Sequence, residues 1–218
     1  ARFVIDATGR RAALARRLGA RHLAADRLTA HALHLPSAPG ATPELVVEAV
    51  RDGWWYTAAL PGGRRVVVCL TDPDIASALG LRTLEGWTRA LAETRHMAAL
   101  AGRPDAGLVP RVGPAGGRRL AGPAPPGMLC AGDAAASFDP VSAAGVPRAL
   151  RSGLFAAYAA ADLLLRGDVS GVARFQAVLG SERAGYERGL AAHYGLERRW
   201  PQSPFWRRRQ VLKDAAAA

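Results

Sequence analysis

The sequence predicts an α/β protein: a parallel-sheet domain, an antiparallel sheet inserted into it, and helices at the C-terminal end. Three observations predict this. The apolar run Met128–Ala131 ends at Gly132–Asp133, a loop carrying Asp139–Pro140 follows, and a helix rich in alanine and leucine begins near Gly145. A second strand pattern, Arg2–Asp6, turns through Ala7-Thr8-Gly9-Arg10 into another helix. Between Leu28 and Leu70, short β-type runs are separated by turn signals, the pattern of an antiparallel meander.

Taken in order, RFVID is β-branched and aromatic, and Arg11–Leu18 reads as a helix with Gly19 at its C-terminal end. His31, Leu33 and Leu35 alternate with Ala32 and His34, as in a half-buried strand. The loop Pro36–Pro43 leads to a strand over Glu44–Val50, Asp52–Gly53 turns it, and Trp54–Leu60 returns. Pro61–Arg64 turns again into Val66–Leu70. Strand period puts Trp54, Tyr56, Ala58 and Leu60 on one face and Trp55, Thr57 and Ala59 on the other, so both faces are expected to be covered. Thr83–Leu100 has helical spacing, with Leu84, Trp87, Leu91 and Ala92 on one side. Arg111–Leu120 is expected as an edge strand on the return to the parallel domain. Ala149–Leu165 reads as an apolar, mostly buried helix ended by Gly167–Asp168. Val172–His193 reads as an amphipathic one carrying Phe175, Leu179, Tyr186 and Leu190. The tail Tyr194–Arg209 is basic, and its two tryptophans and one phenylalanine require burial or a partner.

A strand end, a Gly-Asp, a proline-containing loop and a helix start suit a large anionic cofactor. An Asp past a strand end can accept hydrogen bonds from sugar hydroxyls. The free N–H groups and positive dipole end of a helix favour negative charge opposite them. Pro147, in the first helical turn, fits because its missing N–H does no harm there.

The stretch GDAAASFDPVSAAG resembles the second flavin-binding motif of the FAD-dependent monooxygenase superfamily, and VIDATGR resembles its ATG motif. The resemblance implies an FAD-binding Rossmann-like domain with an antiparallel-sheet substrate domain and C-terminal helices. It implies cofactor contacts from Asp6, Thr8, Gly9 and Arg10 and from Gly132, Asp133, Pro140, Gly145 and Val146. In that family the Asp meets the ribityl chain and the loop after the Pro lies against the isoalloxazine ring. Ala143–Ala144 depart from the usual Gly-Gln. The inserted sheet roofs the cavity before the flavin, which makes Trp54, Trp55 and Tyr56 substrate-pocket candidates; the sequence does not decide which face lines it.

The first dinucleotide-binding element, GxGxxG after a strand, is not in these residues. The FAD-binding domain is therefore expected to be incomplete, its first βαβ unit absent, either because the chain is part of a longer flavoprotein or through a natural truncation. The expected parts are 1–27 and 101–166 for the FAD-binding domain, 28–100 for the substrate domain, and 167–218 for a helical segment and tail.

The segment Asp52–Asp74 and the tail resemble the branch that holds tryptophan-halogenase-like flavoproteins and the maturation flavoenzymes that hydroxylate a protein tryptophan. Trp54-Trp55-Tyr56-Thr57-Ala58-Ala59 stands where true halogenases carry WxWxIP. That shifts the expectation toward monooxygenase-type oxidation of an aromatic group, small or peptide-borne, with NAD(P)H or a reductase as electron donor. The alternatives are an isoprenoid-type flavin reductase, a tryptophan halogenase, and a non-catalytic remnant that binds a partner protein through its tail. No catalytic acid or base is assigned.

Composition narrows the rest. The net charge of +11 is almost all arginine, Lys213 being the only lysine, and the arginines are scattered apart from Arg207–Arg209. With no nucleic-acid motif beside them, they predict no nucleic-acid partner. No apolar run approaches the ~18 residues of a membrane span. The five histidines show no metal-ligand spacing, and Cys69 and Cys130 sit in strand-like runs without a CxxC, so no metal is expected and the location expected is cytoplasmic.

Overall fold

The computed structural model describes residues 1–24, 26–122 and 124–210. Its strands are β1 (Val4–Asp6), β2 (His22–Ala24), β3 (Thr29–Pro36), β4 (Val46–Val50), β5 (Gly53–Leu60), β6 (Arg64–Thr71), β7 (Arg111–Pro114), β8 (Arg118–Leu120), β9 (Met128–Cys130) and β10 (Ala136–Ser137). Its helices are α1 (Ala13–Arg17), α2 (Pro73–Leu79), α3 (Leu84–Ala92), α4 (Met97–Leu100), α5 (Gly145–Arg166), α6 (Ser170–Leu196) and α7 (Pro204–Gln210). They divide into two units. One holds Ala1–Asp26 with Gly116–Ala192; the other holds Arg27–Ala115 and the segment that begins at His193.

In the first unit β1 and β9 pair in parallel, Val4 against Met128 through Asp6 against Cys130. Alternation along β9 sends Leu129 to one face and Met128 and Cys130 to the other. On the first face Leu129 and Ala131 pack with Ala156, Ala159 and Phe175 from α5 and α6. On the second, Met128 and Cys130 pack with Ala12, just before α1, with Ala15 of α1 and with Ala134 and Ala135. A small antiparallel sheet, β10-β8-β2, lies in the same unit. The apolar helix was expected to be mostly buried, but α5 is not. Ser152, Ala156 and Ala159 face inward, while Val146, Leu150, Leu154 and Tyr158 are 51–73% exposed. Their four-residue spacing puts them on one stripe.

The second unit is an antiparallel sheet in the order β4-β5-β6-β3-β7. The expected hairpin is present, with Val50 opposite Gly53. Gly53 is required there, because a Cβ would stand 2.3 Å from Leu70 O. Leu33, Leu35, Trp55, Val67 and Cys69 of this sheet form one core with Ala76, Leu81, Trp87, Leu91 and Met97 of the α2–α4 region.

Four further expectations change. Thr83–Leu100 is two helices, because the Glu48 carboxylate accepts the N–H groups of Arg95, His96 and Met97 and fixes a break before α4. Arg111–Leu120 is two strands: β7 pairs with β3, and β8 with β2 and β10. The boundary expected after residue 100 therefore falls near 115. Residues from 167 on do not form a part of their own either, since α6 up to Ala192 groups with the first unit.

The aromatic tail is internal to the second unit. Phe205 and Trp206 are buried, and Trp206 Nε1 donates to Val50 O at 2.9 Å. Arg209 is 5% exposed and meets the buried Asp72 at 2.7 Å, while Arg208 binds both Asp72 and Asp74. Arg199 also serves the fold, donating to Ala49 O at 3.2 Å. Among the described residues no helix is long and apolar enough to cross a membrane.

Candidate functional site

The two motif turns of the first unit leave their parallel strands side by side, but their acids do different things. Asp6, 2% exposed, accepts the Thr8 hydroxyl at 2.6 Å and Thr8 N–H at 2.9 Å on one oxygen. Its other oxygen accepts the N–H groups of Leu14 at 3.0 Å and Ala15 at 2.8 Å. Burial alone would raise this carboxyl, but the Thr8 hydroxyl and the N–H groups of Ala15, Thr8 and Leu14 outweigh it and hold it below the ordinary value. Asp6 is thus committed to closing the ATG turn and capping α1. Thr8 joins it, accepting Ala13 N–H at 2.7 Å. Gly9 follows in the left-handed region with φ +68°.

Asp139, 1% exposed, is likewise engaged: Oδ1 accepts Val141 N–H at 2.9 Å, and its own N–H donates to the Tyr186 hydroxyl at 2.9 Å. Pro140 opens the short turn that this cap closes. Asp133 differs. It is half-buried on the turn after β9, and none of the hydrogen bonds or ion pairs found among the described residues engages its carboxylate. Its charge is felt by Arg10, whose guanidinium is depressed first by burial and supported by Asp133. Arg10 donates to Gly116 O at 2.6 Å, and its Nε is buried without a partner.

Gly132 presses on α5. Its N–H donates to Ser152 Oγ at 2.7 Å, and a Cβ at its left-handed φ of +57° would meet the Ala149 methyl at 3.3 Å. The start of α5 is open: no side chain caps Ala144, a Cβ on Gly145 would meet nothing within 4 Å, and Val146 is 73% exposed. The helix therefore presents uncapped N–H groups and its positive dipole end.

Sequence reasoning missed Arg148, in the first turn of α5. Its guanidinium lies 4.3 Å from the Phe138 ring centre and 5.3 Å from that of Tyr186, and Nη1 is buried with no partner. The signal was present, because a cation in the first turn opposes the helix dipole.

The pocket candidates separate. Trp55 is 1% exposed and stands edge-on to Trp87 at 5.1 Å, so it belongs to the core. Trp54 is 3% exposed and donates from Nε1 to the Tyr194 hydroxyl at 3.1 Å. Tyr56, 6.0 Å from Trp54, is half-buried, and burial raises its phenol above the ordinary value. Both thiols are buried, and burial foremost pushes Cys130 up to about 11, so neither is a ready nucleophile.

This fold is that of the flavin-dependent halogenases. The crystal structure of CmlS, a flavin-dependent halogenase, matches 95% of this chain and 40% of its own with a TM-score of 0.81 and 22% identity. The peptidyl tryptophan dihydroxylase QhpG, essential for tryptophylquinone cofactor biogenesis, matches 95% of this chain and 48% of its own at 0.65 and 24%. LodB of Marinomonas mediterranea, assigned as an FAD-dependent oxidoreductase, is 30% identical over 212 residues, 96% of this chain. The chain spans 56% of the length of LodB. No family model matches. Over nearly its whole length the chain is thus similar to an FAD-dependent oxidoreductase and shares its fold with flavin-dependent halogenases and a tryptophan dihydroxylase.

Proposed function

We propose that this chain is the substrate-sheet and second-motif portion of an FAD-dependent monooxygenase-like enzyme that oxidises an aromatic group, with a protein-borne tryptophan as the favoured substrate. The observation that carries the reading is the contrast among the motif acids: Asp6 and Asp139 are spent on their own backbone, and Asp133 has a carboxylate to offer.

The residues present fit the flavin end of the cofactor. Asp133 would accept ribityl hydroxyls. The open first turn of α5 and the unpartnered Nη1 of Arg148 would favour negative charge on the ring. Gly132 and Gly145 leave the backbone approachable, and Asp139 with Tyr186 holds the loop after Pro140 in place. Asp6, Thr8 and Gly9 would act by shaping the ATG turn, with Arg10 balancing Asp133. Reduced flavin, when bound, supplies the transfer of an oxygen atom from O₂. Tyr56, on the Trp54 face, would be the aromatic residue that meets a substrate; the packing of Trp55 in the core under the helices supports this. NAD(P)H or a reductase would supply electrons. The remnant reading is disfavoured, because Phe205 and Trp206, two of the three tail aromatics it relies on, are buried in their own unit.

The test uses the full-length protein with FAD, a reductant, O₂ and a tryptophan-containing peptide, read by mass spectrometry with chloride present. Gain of oxygen supports the proposal. Gain of chlorine selects the halogenase, and reduction without oxygen selects the reductase.

A further inference from the structure

A cavity of about 320 Å³ lies within the first unit, between the small antiparallel sheet and α6. Arg118, Arg119 and Ser137 line it from the sheet, and Phe138, Arg183 and Tyr186 complete it. Arg118 occupies the middle strand, paired with Ala24 on one side and Ser137 on the other. Directly paired residues direct their side chains to one face. The Arg118 guanidinium and the Ser137 hydroxyl therefore rise together, with only a methyl beside them. Ser137 is 3% exposed, and its Oγ has no hydrogen-bond partner. Buried hydroxyls are normally satisfied, so this one points to a group that completes it.

The charge is equally one-sided. Arg183 is held by Glu187 at 2.7 Å, and Arg119 spends one N–H on Leu120 O at 3.2 Å. Among the described residues no hydrogen bond or ion pair engages Arg118. Alternation along β8 turns Arg119 to the face opposite Arg118, so the charge beside Ser137 comes from Arg118, with Arg183 already paired to Glu187. Guanidinium forks match phosphate and carboxylate oxygens. The Phe138 and Tyr186 rings, edge-on at 4.7 Å, offer an apolar wall beside them. Asp133, Gly145 and Arg148 do not line this cavity.

We propose that the cavity binds a small organic anion, its phosphate or carboxylate held by Arg118 and the Ser137 hydroxyl and its apolar body against Phe138 and Tyr186. The cavity shares the Phe138 and Tyr186 rings with Arg148, but Arg118 and Ser137, which would hold the anion, are not among the flavin contacts assigned above.

The experiment is calorimetric titration of the full-length protein, with and without added FAD, using inorganic phosphate, phenyl phosphate and benzoate. Saturable binding is expected for at least one aryl anion, tighter than for inorganic phosphate, and comparing the two aryl anions identifies the head group. Arg118→Gln should weaken it about tenfold or more and Ser137→Ala about threefold or more, with the exposed Arg188→Gln unchanged. Ser137→Ala only deletes a hydroxyl, so it keeps the test valid if Arg118→Gln fails to fold. No saturable binding of any of the three anions would overturn the proposal. Affinity unchanged by Ser137→Ala would do the same, and so would binding abolished by FAD, which would make the cavity part of the cofactor site.

Discussion

The Gly132 N–H donates to Ser152 Oγ at 2.7 Å, and that hydroxyl in turn donates to Ala149 O at 3.0 Å. One side chain on the second turn of α5 therefore fixes the Gly-Asp turn to the helix whose N-terminus lies beside it. Ser152→Ala should leave the Gly132 N–H without its acceptor. We expect a loss of about 1–3 kcal/mol in chemical denaturation and a weaker hold on FAD. An unchanged denaturation midpoint would show that the hydroxyl does not set the turn.

Asp6 and Asp133 should separate stability from binding. Asp6→Asn removes a charged acceptor of α1 N–H groups, a loss of about 1.5–3 kcal/mol. Its folded-state carboxyl lies below the ordinary 3.8, so its contribution is complete above that value and is lost as pH falls through the lower folded one. Acid denaturation of Asp6→Asn should therefore be shallower in that window. Asp133→Asn should leave stability nearly unchanged and raise the dissociation constant for FAD in the full-length protein. Equal effects of the two variants on both readouts would contradict the division of labour.

Ala143 takes φ +48° at the position where the motif usually carries glycine. A Cβ in the left-handed region costs about 1–2 kcal/mol. Against that, glycine loses more chain entropy on folding. Ala143→Gly should thus be near neutral or slightly stabilising, whereas Ala143→Val should destabilise by at least about 1 kcal/mol because of its branched Cβ. Thermal melts of the pair decide it, and a stabilised valine variant would refute the strain.

The legible parts of the sequence were those with local physical causes. Strand period over His31–Leu35 and Trp54–Leu60 and the Asp-Gly turn each depend on neighbouring residues. What escaped depended on distant ones. Glu48 breaks the helix at Arg95–Met97 from another strand, and nothing in the local spacing of Thr83–Leu100 announces it. The three-residue strands β2 and β8 are too short to show a period. For the site, residue types located both turns, yet which of Asp6, Asp133 and Asp139 is available depends on backbone N–H groups that only folding brings near.

Asp72 ties the tail to the second unit, since Arg208 and Arg209 both reach it at 2.7 Å. Asp72→Ala takes its carboxylate away from the buried Arg209 guanidinium, which typically costs about 3–5 kcal/mol. Limited proteolysis should then release the segment after His193. Resistance equal to that of the unmodified chain would mean that aromatic packing of Phe205 and Trp206 alone suffices.

These 218 residues by themselves should hold FAD weakly. On the proposed reading Asp133, Arg148 and the open start of α5 would meet the flavin end, but the pyrophosphate normally rests on a glycine-rich turn that this sequence lacks. The parallel pairing is only two-stranded, β1 with β9, and parallel strands are ordinarily flanked by further strands and covered on both faces. The stripe Val146, Leu150, Leu154 and Tyr158 also leaves apolar surface in water, which favours self-association. We expect the isolated chain to purify without yellow colour and to aggregate with concentration, beside a longer chain that retains flavin. An absorbance scan and size-exclusion chromatography of the two preparations test this. A monodisperse isolated chain carrying stoichiometric FAD would mean that the contacts at Asp133 and α5 hold the cofactor unaided.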